Sequence, residues 1–180
     1  VIFWETDGGS GRSPASHPNF RDWREQAESF EDIGAITYWN FNLSGPDGPE
    51  RIFATLVSEG LFELLGVEPV IGRTILPEED RVGAPKVVLI SHTLWHRRFG
   101  GDPGVIGEAL LLDGEPFTVI GVMPAGFEAP CPWLVGKKTD LWFSLCLPPL
   151  NKNLLDNRDH HWMIAIGRLR DGVSIGEAQE

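Results

Sequence analysis

Residue types that could perform catalysis lie at the start of a predicted helix and just beyond its end. Ser91 and His92 are adjacent, and Asp102 lies further along, so the residue types of a Ser-His-Asp triad are all present. Adjacent Ser and His side chains at a helix start cannot point at each other productively, and no Gly-x-Ser-x-Gly turn surrounds Ser91. Serine is, however, a preferred helix cap, because its hydroxyl accepts a hydrogen bond from a free backbone N–H. We therefore interpret Ser91 as a cap and predict no catalytic residue.

Two groups of histidines have spacings that occur in metal sites. His92 and His96 are four residues apart on one face of the predicted helix, as in zinc proteases. No Glu follows the first His directly, and no third ligand follows at a known spacing. Asp159, His160 and His161 are consecutive, and in an extended chain two adjacent side chains point to opposite faces. We predict that both groups lie on solvated or partly packed faces and that the chain holds no metal.

Two further segments have the composition of a binding loop without its pattern. Residues 8–11 are rich in glycine but lack the Lys and the Ser or Thr that a phosphate-binding P-loop needs at fixed spacing. Residues 78–80 are all acidic but lack the alternating ligands of a calcium-binding loop. We predict a flexible loop for the first segment, a solvated turn for the second, and no bound cofactor.

The chain contains two cysteines, Cys131 and Cys146. An oxidising compartment outside the cytoplasm would permit a disulfide between them. Spacing alone does not show whether their Cα atoms come close enough to be bridged. The sequence leaves both the bridged and the unbridged state open.

The elements that position these residues follow from hydrophobic periodicity and from cap and turn residues. Strands are predicted at 1–7, 33–43, 51–57, 69–73, 86–90, 108–112, 116–122, 140–147 and 162–169. Helices are predicted after the caps Ser16, Ser58, Ser91 and Ser174, and Gly66 and Gly100 end two of them. Asp113 and Gly114 predict a two-residue hairpin loop. This order of strands and helices predicts an α+β fold with helices packed on one layer of sheet.

Two polar segments divide the chain. Residues 76–85 are polar, contain proline and show no periodicity, and residues 148–157 are rich in proline and asparagine. We predict a first lobe at residues 1–84, an inserted lobe at 85–150, and a linker at 151–180 that leads back to the first lobe. The inserted lobe contains the hairpin and is the richer in strands.

Composition excludes several classes of function. With 180 residues, 42% of them hydrophobic, the chain can bury a substantial core. A formal charge of -11 argues against nucleic acid as a partner and against adsorption on anionic lipid. No apolar run approaches the roughly 20 residues that span a bilayer, and the start lacks the features of a signal peptide. The chain begins in a predicted strand and stops within a predicted helix, so we expect it to be a piece of a longer protein.

Four sequence blocks resemble one protein family. The first two are SHTLWHRRFGGDP at 91–103 and LDGEPFTVIGVMPAGF at 112–127. The other two are Gly72-Arg73 with the acidic turn at 77–80, and GRLRDGVS at 167–174. In this order and spacing they are similar to the MacB-like periplasmic core domain of ABC transporter permeases, especially permeases of the acidobacterial type. The resemblance covers nearly the whole chain.

The resemblance implies a fold and a location. Such domains consist of a Porter subdomain, built from βαβ units, that is interrupted by a smaller β-rich Sabre subdomain, which matches the lobes predicted above. It further implies an extracytoplasmic domain of an inner-membrane protein, with transmembrane helices of the same chain before and after it. The last strand of the Porter subdomain is expected to lie beyond residue 180, which would leave a sheet edge open.

The resemblance also implies a function without catalysis. ATP is expected to be hydrolysed by a separate or fused ABC ATPase, and the transmembrane helices would pass that motion to this domain for efflux or other periplasmic work. A periplasmic adaptor protein is a further expected partner. The transported substrate does not follow from the sequence.

Two other classes of function stay as alternatives. A secreted carbohydrate- or peptide-binding module would use a tryptophan-rich surface, because aromatic rings stack on sugars and on apolar side chains. The seven Trp are scattered, however, and we predict that Trp23, Trp39, Trp95 and Trp142 belong to the core. A hydrolase would need Ser91, a histidine and a carboxylate to meet in one pocket.

Overall fold

The sheet is built around one long strand, β2 (Phe30–Leu43). A computed structural model describes residues 1–6, 11–45, 48–131, 137–146 and 152–179. The other strands are β1 (Ile2–Phe3), β3 (Glu50–Val57), β4 (Ile71–Gly72), β5 (Val87–Ile90), β6 (Ala109–Leu112), β7 (Glu115–Val122), β8 (Leu141–Ser144) and β9 (Ile164–Leu169). The helices are α1 (His17–Gln26), α2 (Leu61–Leu65), α3 (His92–Phe99) and α4 (Lys152–Leu155), with short 3-10 turns at Pro77–Glu79, Pro103–Val105 and Glu177–Gln179. The predicted α+β class is confirmed.

The described strands form one mixed sheet in the order β1-β9-β2-β3-β8-β5-β7-β4, with β6 beside both β2 and β7. The β3–β8 and β5–β7 pairs are parallel and the others antiparallel. Because β6 touches β2, six strands close into a ring: β2, β3, β8, β5, β7 and β6. We call the parallel pairing of β3 with β8 the β3–β8 seam and the contact of β2 with β6 the β2–β6 seam.

Each strand of the ring sends alternate side chains into a shared core. Phe41 of β2, Phe117 of β7 and Phe143 of β8 are buried there. Their ring centroids lie 4.7 Å apart for Phe41 and Phe143, 5.2 Å for Phe117 and Phe143, and 6.0 Å for Phe41 and Phe117. Phe20 of α1 and Leu94 of α3 complete this core from outside the sheet. The ring is therefore filled by side chains.

A second core lies on the opposite face of the sheet. Leu61 and Phe62 of α2 are buried against Trp142 of β8 and other residues of the same cluster. The chain then turns back through Gly72, whose φ of 81° favours glycine, and a Cβ there would lie 2.1 Å from the Ile120 carbonyl oxygen. Strand β4 can pair with β7 at this distance only because residue 72 is glycine.

Most of the predicted caps and turns are present. Ser16 Oγ accepts from the Asn19 N–H, Gly66 and Gly100 end α2 and α3 in the left-handed conformation, and the Ser174 and Glu177 side chains bond each other's backbone N–H. Leu112 pairs with Glu115 across Asp113-Gly114, as the hairpin prediction requires.

One predicted cap is wrong. Ser58 Oγ accepts from the Ala35 N–H at 3.0 Å, and α2 begins after Gly60 without a side-chain cap. The hydroxyl is used to join two distant segments of the chain.

The division into two lobes stays a prediction. Residues predicted for both lobes contribute strands to the same hydrogen-bonded sheet. Parts of the predicted loop at 8–11, of the turn at 44–49 and of the linker at 148–157 lie outside the described residues.

Candidate functional site

Ser91 and Asp102, two of the residue types of a Ser-His-Asp triad, make capping hydrogen bonds in the structure. Ser91 Oγ accepts from the Leu94 N–H at 2.9 Å and donates to Asp140 Oδ1 at 3.1 Å, which confirms its role as a cap. Asp102 accepts from the Gly104 N–H at 2.8 Å and so caps the next turn. Both side chains therefore bind backbone N–H groups and hold the local backbone in place.

Histidines of both predicted groups contact neighbouring side chains. The rings of His92 and His96 lie 4.4 Å apart, so they share a face as their spacing predicts. His161 Nε2 lies 3.1 Å from Glu5 Oε2, and Glu5 Oε1 accepts from the Ser16 N–H at the start of α1. Within the described ranges, no three His, Cys, Asp or Glu side chains are grouped so that they could hold a metal ion.

Glu79 is buried, which corrects the interpretation of residues 78–80 as a solvated turn. Its carboxylate accepts two hydrogen bonds from the Arg73 guanidinium, both at 2.7 Å, and one from the Leu76 N–H at 2.9 Å. The Arg73 hydrogen bonds, against the opposing effect of burial, lower the pKa of Glu79. This ion pair fixes the corner between β4 and the following 3-10 turn.

Asp80 joins three segments that are distant in sequence. Its carboxylate accepts from the Glu59 N–H at 2.9 Å and from the Ser144 hydroxyl, and the Cys146 thiol is a further partner. Glu59 follows β3 and Ser144 ends β8, so Asp80 ties the segment at 76–85 to both strands of the β3–β8 seam. We call this group of contacts the Asp80 junction.

Arg24 extends this polar network to α1 and β2. Its guanidinium donates to both carboxylate oxygens of Asp32, at 2.9 and 3.1 Å, and lies 2.7 Å from Glu59 Oε1. Beside it a cavity of about 640 Å³ lies between α1 and the segment at 77–82. His17, whose pKa is lowered chiefly by burial, lines the cavity and bonds the Leu155 carbonyl.

The two cysteines have different environments. Cys131 is buried in the second core. Burial first, and then the neighbouring charge of Asp80, raise the pKa of Cys146 to about 12. Cys146 is therefore a protonated thiol at neutral pH, which makes it a poor nucleophile. A disulfide between Cys131 and Cys146 stays one of the two states that the sequence leaves open.

The β2–β6 seam is held by a small polar clasp. Asn42 donates from its backbone and its side chain to Asp113 Oδ1, at 3.1 and 2.6 Å, and the Asp113 N–H donates to the Asn42 carbonyl at 2.9 Å. Asp113 has a φ of 49°, as the first residue of this type of hairpin loop requires. The turn residue thus also fastens the hairpin to the end of β2.

Comparison with protein families decides the identity of the domain. The model of the MacB-like periplasmic core domain matches residues 1–180. The chain belongs to this family. No curated protein sequence matches it.

Solved structures show the same fold for the MacB-like domain. It is similar to the periplasmic region of MacB from Actinobacillus actinomycetemcomitans, with a TM-score of 0.71 and 18% identity over 99% of this chain and 77% of that one. A domain from Porphyromonas gingivalis described as part of a permease gives a TM-score of 0.67 and 20% identity over 90% and 71%. The extracellular domain of the noncanonic ABC-type transporter YknZ from Gram-positive bacteria gives 0.68 and 12% over 98% and 86%.

The MacB-like assignment defines the place of the domain in a larger protein. It is the periplasmic type of domain found in ABC-type transporter permeases. In the part of the chain that the structure describes, no helix is both long and apolar enough to cross a bilayer.

Sequence reasoning missed the residues that join the strands of the MacB-like domain. Asp80 and Asn42 act through partners that lie far away in sequence. Arg73 acts across a loop whose path cannot be read from the neighbouring residues. The one signal available beforehand was the acidic character of residues 78–80, which indicated a charged turn but not its partners.

Proposed function

We propose that this MacB-like domain acts as a rigid extracytoplasmic body that passes motion from membrane-spanning helices of the same permease to efflux or other periplasmic work. ATP hydrolysis would occur in a separate or fused ABC ATPase. The domain itself would have no catalytic role and would need no cofactor. A periplasmic adaptor protein is a candidate for the component on which the domain acts.

The observation that carries the proposal is the closed ring within one continuous sheet. From β1, hydrogen bonds lead through β9 and β2 to every strand of the ring. The two predicted lobes are therefore joined by strands of one sheet as well as by loops. A force applied near the start of the chain would pass through this sheet.

The packing supports the same proposal. The three phenylalanine rings fill the ring of strands, and close-packed interiors deform little under load. The Asp80 junction adds hydrogen bonds at the point where the predicted lobe boundary meets the β3–β8 seam. A body of this kind moves as a unit and does not fold around a bound substrate.

Spin labels in the full-length permease test the proposal. In a background with Cys131→Ala and Cys146→Ser, labels at the exposed positions Glu28 and Glu108 report the distance across the domain. A third label in a membrane-spanning helix reports movement of the domain relative to the membrane. On ATP binding we expect the distance from Glu108 to the membrane label to change while the distance from Glu28 to Glu108 stays the same.

Two results would contradict the proposal. Unchanged distances in both pairs would remove the mechanical role. A change within the domain of the same size as the change relative to the membrane would keep a moving domain but remove the rigid body. An ATPase variant that cannot bind nucleotide is the control, and it should show the nucleotide-free distances throughout.

A further inference from the structure

One edge of β2 is open in the middle of the strand. On this side β2 pairs with β9 as far as Ile36 and meets β6 only at Leu43. Asn42 directs its C=O to Asp113 in the hairpin loop, and Ser44 directs its N–H to β6. Ala35 directs its N–H and C=O to Ser58 on the other side. Because backbone direction alternates along a strand, Tyr38 and Asn40 direct their N–H and C=O groups into the gap. Neither has a strand partner at this edge among the described residues.

The gap exists because the chain before β9 turns away from β2. The N–H groups of Trp162 and Met163 both approach the Ala15 carbonyl, at 3.1 and 3.2 Å. The Thr37 hydroxyl donates a hydrogen bond to the Trp162 carbonyl at 2.7 Å. From Ile36 to Asn42 the open stretch is about 20 Å long at the usual rise per residue, which is enough for a short added strand.

A cavity of about 930 Å³ lies along this edge and has an apolar side. Trp39 lies on the same face of β2 as buried Phe41, yet 39% of it is exposed, so the prediction that Trp39 belongs to the core is wrong. Leu154 and Trp162 line the cavity and pack on the core that Phe41 enters, so they share this side with Trp39. Side chains of an added strand that pointed this way would meet aromatic and aliphatic surface.

The other side is cationic. The Tyr38 ring stacks on Phe53, and Lys137 Nζ lies 5.5 and 5.1 Å from the two ring centroids. Arg51 lies opposite Asn42 in the β2–β3 register, so its side chain shares the face of Tyr38. Among the described residues that line the cavity there is Arg51 but no Asp or Glu, although the chain carries a net charge of -11.

Together, these features of the open β2 edge favour one kind of binding partner. We propose that an extended peptide segment of a partner protein adds to β2 as a strand at Tyr38 and Asn40, with apolar side chains towards Trp39 and acidic side chains towards Arg51 and Lys137. Strand addition of this kind takes its affinity from main-chain hydrogen bonds and its selectivity from alternate side chains. The site goes beyond the mechanical role and does not depend on it.

Amide hydrogen exchange of the 180-residue chain tests the site directly. The probe is a capped seven-residue peptide in which valine and glutamate alternate. We expect the peptide to slow exchange of the Tyr38 and Asn40 amides about tenfold or more, since both donors would become hydrogen-bonded. Amides of β5, on the far side of the ring, should be unaffected.

Modified peptides separate main-chain pairing from simple adsorption. Two versions of the probe carry N-methyl groups on one or the other alternate set of amides. We expect only the set that faces β2 to weaken binding, by about tenfold, because those donors are lost. A probe with lysine in place of glutamate should bind about fivefold more weakly or not at all.

Protein variants address the same two features. Asn40→Pro removes an N–H at the open edge without removing one from the β3 ladder, and we expect about fivefold weaker binding, whereas Asn40→Ala should bind as the original chain does. Arg51→Glu should weaken binding about fivefold. Arg81→Glu makes the same charge change at an exposed arginine beside the other cavity and should have no effect. Thermal unfolding shows that each variant is folded.

Several outcomes would overturn the proposal. Unchanged exchange at Tyr38 and Asn40 in the presence of the peptide would do so, as would equal binding of both N-methylated probes. Protection of these amides without peptide would also overturn it. Protection that rises with protein concentration would assign the edge to a second copy of the chain, and protection independent of concentration would assign it to the chain itself.

Discussion

The two seams that close the ring differ in length, burial and polar support. The β3–β8 seam has four paired residues on each strand, running from Ala54 to Val57, and the Asp80 junction lies at its end. The β2–β6 seam has one register pair and an exposed clasp between Asn42 and Asp113. A ring needs both contacts for closure, and we expect the longer β3–β8 seam to contribute more to stability than the β2–β6 seam. The weak seam is also the one beside the open edge of β2.

The largest effect is expected at the strong seam. Asp80→Ala leaves the Glu59 N–H, the Ser144 hydroxyl and the Cys146 thiol without their acceptor in partly buried surroundings. Since each buried donor left unsatisfied costs about 1–3 kcal/mol, we expect the free energy of unfolding to fall by about 3 kcal/mol. Chemical denaturation measures this change.

Two variants sharpen that result. Asp80→Asn keeps a side-chain carbonyl oxygen as an acceptor and should lose less than half as much stability. Asp156→Ala removes an exposed aspartate that lines the same cavity and should change stability by less than about 0.5 kcal/mol. A loss below about 1 kcal/mol for Asp80→Ala would show that the Asp80 junction does not strengthen the seam.

The difference between the seams also explains what the sequence could predict. The cap at Ser91, the helix end at Gly100 and the Asp113-Gly114 hairpin depend on residues a few positions apart, so their patterns are visible in the sequence. The family was recognisable because four such local blocks occur in order. These features set where the elements begin, end and turn.

The contacts that join the elements depend on distant residues. Ser58 has the residue type of a cap, but its hydroxyl reaches Ala35, and Asp80 has the residue type of a solvated turn, but it reaches Ser144. The exposure of Trp39 likewise depends on where β9 leaves β2, which no local pattern of β2 reveals. Parallel pairing of β3 with β8 is a long-range property of the same kind.

At Glu79 we expect an effect of intermediate size on the free energy of unfolding, and this effect depends on pH. The pKa of Glu79 is lowered in the folded protein, chiefly by hydrogen bonds from Arg73, so this carboxylate stabilises the fold above its unfolded pKa of about 4.5. That contribution is lost as the pH falls through the lower folded value. Glu79→Gln should therefore cost about 1–2 kcal/mol at pH 7 and progressively less below about pH 4.5. Unfolding measured across this pH range checks the sign.

A variant of the neighbouring residue is the control for the pH dependence of Glu79→Gln. Glu78 is exposed, and Glu78→Gln should leave the pH profile of the original chain unchanged. If both variants keep the original profile, acid sensitivity does not arise at the corner that carries Asp80.

The smallest effect is expected at the weak seam. Asp113→Gly removes the acceptor of both Asn42 hydrogen bonds, but water can replace it at this exposed site, and glycine tolerates the positive φ of the turn. We expect a loss of at most about 1 kcal/mol, together with faster exchange of the backbone amides at positions 44 and 113, which cross the seam. Asp113→Asn keeps an acceptor oxygen and a favoured Asn-Gly loop, so it should resemble the original chain in both measurements. If Asp113→Gly destabilised the protein as much as Asp80→Ala, the two seams would be equal. The ring would then be a uniform barrel with no preferred place to open.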